Sequence, residues 1–294
     1  MANTTAATPK ADPTVCTNKP SPSLTLAVAS NLWEPAQFLA STFEERNPGV
    51  IVEVCHNSTG ELERQIIAGG SGYDIFLAAN TETPIDLCSN YSSLCYPTTD
   101  PPSDSVFNYA IGILVLWSHR NIDLTDGLDL VDNPEINSLA YADPGDAPYG
   151  KATQQTLEQT GQWNNLLGSK LVNPPYSNID LTYRAVLNET NDAGFIAKSQ
   201  ICNNGNPLQP YVEYDHSLYD QIIQAGTILN TNHTTLAESF KTFLLSDSTN
   251  PQTQGGQTIL TTKFCYVSAL TKKSNSSSSS TKNSASTSKS KTAK

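Results

Sequence analysis

Four places in this 294-residue chain put small hydroxyl or amide side chains at a helix start: Ser30-Asn31, Ser58-Thr59, the Pro148-Tyr149-Gly150 turn, and Asn178 ahead of Ile179. A helix start leaves backbone N–H groups without an internal partner and carries about half a positive charge. Several starts aimed at one point would cradle an anion with no Lys or Arg. Ser, Thr and Asn are also ordinary N-cap residues, and Ser58-Thr59-Gly60-Glu61 has the spacing of a capping box. Each junction alone reads as a cap. Together they fall at strand ends and loop–helix junctions in two successive α/β units, where open sheets take ligands. Ser58 is expected to cap its helix and Thr59 to face a ligand.

Catalytic patterns are nearly absent. The sequence has no GxSxG, P-loop, HExxH or GxGxxG run, and its four His are scattered, with His56 in a turn beside the Ser58 junction. GGSG at 69–72 follows a helix, which suits a C-cap and turn better than a phosphate loop. No catalytic residue, metal ligand or cofactor is assigned, and the chain is expected not to be an enzyme. The competing reading is a secreted α/β hydrolase using Asp74, Asp143 and Asp146. These positions precede a buried strand or lie in a turn, which favours structural hydrogen bonding.

The elements that would position the junctions alternate. LTLAVA (24–29), VIVEVC (50–55) and DIFLAA (74–79) read as strands, with helices over 32–47 and after HNSTG. Pro35 is tolerated in the first turn of the earlier helix. FNYAIGILVLWS (107–118) predicts one long strand, after which LAYA (139–142), helices near 151–161 and 179–188, and AGFIAKS (193–199) form a second unit. YDQIIQAGTIL (219–229) returns to the first, and 236–246 is the last clear helix. Strands alternating with helices predict parallel sheets covered on both faces.

Lys and Arg number 17 against 28 Asp and Glu, and six of the Lys fall between 272 and 294. Residues 1–271 therefore carry a net −17, which repels nucleic acid and anionic membranes. No apolar run is long enough to span a bilayer, and no export signal precedes residue 24. Residues 1–22 and 272–294 are Pro-, Ser-, Thr- and Lys-rich and are expected to be disordered. Six cysteines without CxxC suggest disulfides and an oxidising compartment. Of the 15 possible pairings, Cys88–Cys95 closes a local loop.

The runs AVASNLWEPAQFLASTFEERNPGV, HNSTGELERQIIAGGSGYDIFLAAN, ILVLWS, ADPGDAPYGKA and DAGFIAKSQ occur in that order, and the chain resembles the periplasmic molybdate-binding proteins of ABC importers over roughly 24–270. The resemblance implies a two-lobed type II periplasmic binding protein fold, each lobe a mainly parallel α/β sheet flanked by helices. Lobe 1 would comprise 23–106 plus 214–271, and lobe 2 would comprise 107–213, with hinges near 105–110 and 205–216. It also implies ligand contacts at Ser30, Asn31 and Thr59 from one lobe and at Tyr149 and Ile179 from the other, with Ser58 as the supporting cap. The implied ligand is molybdate or tungstate, or else another oxyanion such as sulfate or chromate. The implied partner is an ABC transporter permease, the protein is a monomer, and the location is periplasmic or extracytoplasmic. A sensory or scavenging role without a transporter keeps the same fold. Lys198 departs from the family, where a neutral residue is usual, and reads as a solvated strand end. The expected crevice is lined by uncharged donors and free of carboxylates.

Overall fold

The computed structural model describes residues 13–269, apart from positions 125, 126, 128, 129 and 131. The expected tail at 272–294 and the first twelve residues lie outside the described residues. Two mixed sheets organise the chain. At the centre of the larger, Leu24–Ala29 pairs in parallel with Val52–Asn57 and Ile75–Leu77. All of LTLAVA except Thr25 is buried, the continuous apolar pattern of a strand covered on both faces. In the smaller sheet Tyr211–Glu213, Leu114–Trp117, Ala193–Ala197 and Leu139–Ala140 lie side by side.

Parallel pairing survives in each lobe, and the strands that cross between lobes pair antiparallel with their neighbours. Val106–Gly112 leaves the larger sheet and Ile222–Leu229 returns to it, the two pairing antiparallel. Leu114–Trp117 and Tyr211–Glu213 do the same in the smaller sheet. The apolar run at 107–118 is thus two strands, and the chain changes sheet at Ile113 and between Glu213 and Ile222. The first crossing lies just past 105–110, and the second begins within 205–216. Both halves of the run must be apolar to sit in a core, so hydropathy conceals the switch.

The helices that aim at the crevice have clear local causes. Trp33–Arg46 buries Ala36, Leu39, Ala40 and Phe43, one face at helical spacing. Thr59–Ala68 starts at extended Ser58, whose Oγ accepts from Glu61 N (3.3 Å), and ends at Gly69 with φ +78°. Ile179–Leu187 starts at Asn178, whose Oδ1 accepts from Asp180 N and Leu181 N, both at 3.0 Å.

Residues 13–22 differ from the expected disordered arm. Val15–Cys16 forms the sheet edge, antiparallel to Val52–Asn57, and Cys16 is bonded to Cys55. Glu53 accepts from Thr17 Oγ1 (2.5 Å), Asn18 N (2.8 Å) and Lys19 N (2.6 Å), so a polar stretch is ordered by a carboxylate and a disulfide without an apolar core. Cys88–Cys95 closes the predicted local loop, and Cys202–Cys265 ties the segment after Ala193–Ala197 to the C-terminal part of the larger lobe.

Candidate binding site between the lobes

The strand ends of the larger sheet meet the other lobe in one buried cluster that includes Ala29, Ala79, Tyr149, Ile179 and Ile222. Here the caps have a consequence. In the helix Thr59–Ala68, Ser58 takes the amide of Glu61, and the amide of Gly60 donates across the lobes to Asp146 O (3.2 Å). In Ile179–Leu187, Asn178 takes the second and third amides. Helical geometry supplies no partner for the first amide of either helix, so Thr59 N–H and Ile179 N–H are the donors each junction leaves over. Thr59 Oγ1 accepts from Ala79 N (3.1 Å), which leaves its hydroxyl proton to donate elsewhere.

Strand Leu24–Ala29 runs into the short turn Ser30–Leu32, which packs against Ile179–Leu187. Ser30 Oγ lies 3.1 Å from His56 Nδ1, and the His56 ring packs against Trp33, tilted by 33° with centroids 4.3 Å apart. Burial pushes the His56 imidazole down to about 4, so it is neutral at physiological pH. Asn31 is 1% exposed. Its Nδ2 donates to Gln224 Oε1 (3.0 Å) and Tyr266 OH (2.9 Å), and its carbonyl oxygen accepts from Ser199 Oγ of the other lobe (3.1 Å). Gln224 Oε1 also accepts from Tyr109 OH (2.9 Å), and Gln224 Nε2 donates to Tyr149 OH (3.0 Å). A Cβ at Gly112 would overlap both the Tyr149 hydroxyl and the Gln224 amide, so glycine is what lets this cluster close.

A small pocket of about 10 Å³, partly open to solvent, is lined by Ser30, Asn31, Trp33, Glu34, Pro35, Asp180, Tyr183 and Gln200. Ser30 and Asn31 thus sit in its wall beside Asp180, the neighbour of Ile179. Ser58 is a cap, Thr59 is bonded to Ala79, Tyr149 is two hydrogen bonds from Asn31 through Gln224, and Ile179 is buried in the core between the lobes; these four do not line the pocket. The expectation of a wall free of carboxylates is overturned by Glu34 and Asp180. Asp180 occupies the first turn of its helix and accepts from Arg184 Nε (2.6 Å), which the i, i+4 spacing brings over it. Burial first and Asp180 second hold the Glu34 carboxyl above its ordinary value. Gln224, Tyr109, Tyr266 and Gln200 are not in the expected set. For Gln224 the signal was present: a glutamine inside the apolar run IIQAGTIL is a buried polar group that needs partners.

The chain matches the profile of the bacterial extracellular solute-binding proteins over residues 24–251. The chain belongs to this family. Among similar sequences, the molybdate-binding protein ModA of Rhodobacter capsulatus is 30% identical over 205 residues, spanning 70% of this chain and 75% of that protein. ModA of Azotobacter vinelandii is 32% identical over 180 residues, spanning 61% and 66%. The solved periplasmic molybdate-binding protein of Azotobacter vinelandii superposes with a TM-score of 0.73 at 24% identity, covering 83% of this chain and 98% of that one. The sulfate-binding protein SubI of Mycobacterium tuberculosis superposes with a TM-score of 0.56 at 13% identity, covering 81% and 90%. At these identities the superpositions establish the type II periplasmic binding fold.

The remaining polar candidates of this solute-binding protein have structural partners. Lys198 Nζ pairs with Glu213 Oε2 (2.5 Å) over the Tyr211 ring. Asp74 accepts from Thr25 N (2.8 Å), Thr231 Oγ1 (2.6 Å) and His233 Nδ1 (3.1 Å), Asp143 accepts from Gly145 N (2.8 Å), and Asp146 pairs with Arg64. The three aspartates of the hydrolase alternative are dispersed among these roles, and the relatives found are binding proteins. Cys16, Glu53 and Cys55 group their ligand atoms, but the two sulfurs are bonded to each other.

Proposed function

We propose that this protein binds molybdate or tungstate between its lobes and delivers it to the permease of an ABC importer, as a monomer in the periplasm. The observation that carries the reading is the division of labour at the two capped helix starts. Ser58 takes the amide of Glu61, Asp146 O that of Gly60, and Asn178 those of Asp180 and Leu181, which leaves Thr59 N–H and Ile179 N–H for a ligand. Ser30 and Thr59 hydroxyls, with the amide of Asn31, complete a donor set drawn from both lobes. Tyr149 supports it through Gln224. ModA proteins of two bacteria being similar over most of the chain gives the anion its chemical class.

A molecule with net charge −11 gains nothing from long-range attraction of a dianion, so capture rests on short-range donors. Each charge-assisted hydrogen bond contributes roughly 1.5–3 kcal/mol, so about six of them offset a desolvation penalty of several kcal/mol per ion. The pocket holds about 10 Å³ for water-sized contents, which is less than a tetrahedral oxyanion needs in this arrangement of the lobes.

Glu34 and Asp180 favour a second reading, a protonated oxyanion whose O–H needs an acceptor. Titration calorimetry over molybdate, tungstate, sulfate, chromate and phosphate separates the two. Micromolar or tighter binding of molybdate and tungstate, with weak sulfate and little phosphate, is expected. Phosphate as the preferred ligand refutes the molybdate assignment.

A further inference from the structure

Gln224 sits in a fully buried position of the returning strand and reaches three parts of the molecule: Asn31 in the pocket wall, Tyr109 on the outgoing strand, and Tyr149 of the other lobe. Asn31 lines that wall, and its Oδ1 is buried and has no hydrogen-bond partner among the described residues. A buried orphan acceptor is costly unless something comes to meet it.

The cluster admits two arrangements. In the one described above, Asn31 spends its amino group on Gln224 Oε1 and Tyr266, and Oδ1 is left as an acceptor. A half-turn of both carboxamides gives the other. Gln224 Nε2 then donates to Asn31 Oδ1 and to the Tyr109 oxygen, and Tyr109 gives its proton wholly to Ala78 O, which it already reaches at 2.9 Å. Tyr149 donates to Gln224 Oε1. Tyr266 turns its proton to Asn31 Oδ1, and the Asn31 carbonyl keeps Ser199 Oγ (3.1 Å). Asn31 now presents an NH₂ with free hydrogens where the orphan oxygen stood. Two facing carboxamides can meet only N–H to O, so they are geared: the orientation of Gln224 sets that of Asn31.

We propose that Gln224 is a specificity-determining positioning residue, whose carboxamide turns the Asn31 amino group toward a bare oxyanion and so disfavours a protonated one. The inference rests on the oxyanion reading of the crevice. It identifies the discriminating group as Asn31 and its control as a residue outside the pocket wall.

Molybdate and hydrogen phosphate carry the same charge at mildly alkaline pH, but only the latter has an O–H. Their affinity ratio therefore cancels effects of charge and of overall packing. Gln224→Glu offers only acceptors, which holds the Asn31 NH₂ inward and Oδ1 outward. Gln224→Met removes the gearing without adding charge. Calorimetry of molybdate, and competition of phosphate against it, would be measured on the whole chain of each variant, with folding checked by circular dichroism. The preference for molybdate over hydrogen phosphate is expected to fall about tenfold or more in Gln224→Glu and by less in Gln224→Met. If Gln224→Glu does not fold, Gln224→Met decides by the same ratio. Equal weakening of both dianions, with the ratio unchanged, overturns the role of Gln224 and leaves the molybdate reading intact. A wild-type protein that binds no molybdate overturns the oxyanion reading and this inference with it.

Discussion

Arg64→Met should weaken ligand binding although Arg64 lies outside the pocket. Arg64, on the helix Thr59–Ala68, grips Asp146 of the other lobe with both nitrogens, Nη1 to Oδ1 at 2.8 Å and Nη2 to Oδ2 at 3.0 Å. The Gly60 amide meets Asp146 O alongside, at 3.2 Å. These contacts join the lobes and must break when they part, so their free energy belongs to closure. Arg64 is 52% and Asp146 33% exposed at the side chain, which keeps the pair in the range of surface ion pairs. The fork geometry places it near the top of that range, about 1 kcal/mol, or about fivefold in Kd. The loss should appear as faster ligand release, since the latch forms after encounter. Calorimetry and stopped-flow fluorescence with molybdate measure both, and the effect should shrink at high salt. In a double-mutant cycle with Asp146→Ala, the coupling should equal the single-mutant loss. An unchanged Kd at low salt, or a loss that persists in full when Asp146 is already alanine, refutes the latch.

Three further outcomes follow from the geometry. Asn178→Ala removes the acceptor for two backbone amides and should cost about 1 kcal/mol of stability, seen as a lower urea midpoint, with weaker molybdate binding because the Ile179 amide loses its fixed direction. The His56 imidazole, about 4 in the folded protein against an ordinary 6.5, binds a proton more readily when unfolded. Its neutral burial therefore gives stability that is fully present above pH 6.5 and is lost as pH falls towards 4, up to about 3 kcal/mol. His56→Gln should flatten the pH dependence of the urea midpoint across that window, and an unchanged slope refutes the assignment. Replacing both Cys202 and Cys265 by Ala opens a 63-residue separation and should cost about 4 kcal/mol, against about 2.5 for the pair Cys88 and Cys95, seven residues apart. Chemical denaturation of the two double variants checks the order, and the reverse order refutes a loop-entropy origin.

Much of the fold was legible because its strands are covered on both faces and its helices carry one apolar stripe. The junctions were legible for the same reason: Ser58 and Asn178 are caps by residue type and position, and both cap. What escaped had no hydropathy signal. The helix Gly256–Lys263 reads as polar, GQTILTTK, because the Thr261 and Thr262 hydroxyls bond back to the carbonyls of Gln257 and Thr258 four residues earlier. The ordering of residues 13–22 depends on Glu53 and on the Cys16–Cys55 pairing, both distant in sequence. Ser30 and Asn31, expected from their place at a strand end, do line the pocket. Glu34 and Asp180 were missed because an acid in the first turn of a helix is what the macrodipole favours anyway. Only tertiary packing turns those two turns toward each other.

That packing sharpens the electrostatic problem the protein has to solve. Asp180 is neutralised as a pair by Arg184 one turn along, so it adds a dipole to the pocket more than a net charge. Glu34 has no such partner at hydrogen-bond distance among the described residues, and burial together with Asp180 already drives its carboxyl toward the neutral form. A dianion arriving between the lobes drives it further in the same direction, because like charges in one site cannot all ionise. Arg184 opposes that shift and Glu34 is exposed at the rim, so its carboxylate is a repulsion that the amides of the helix starts must outweigh. A crevice with acids in its wall is therefore compatible with holding an anion only where the short-range donors of both lobes outweigh the repulsion from Glu34, since Asp180 is already paired with Arg184.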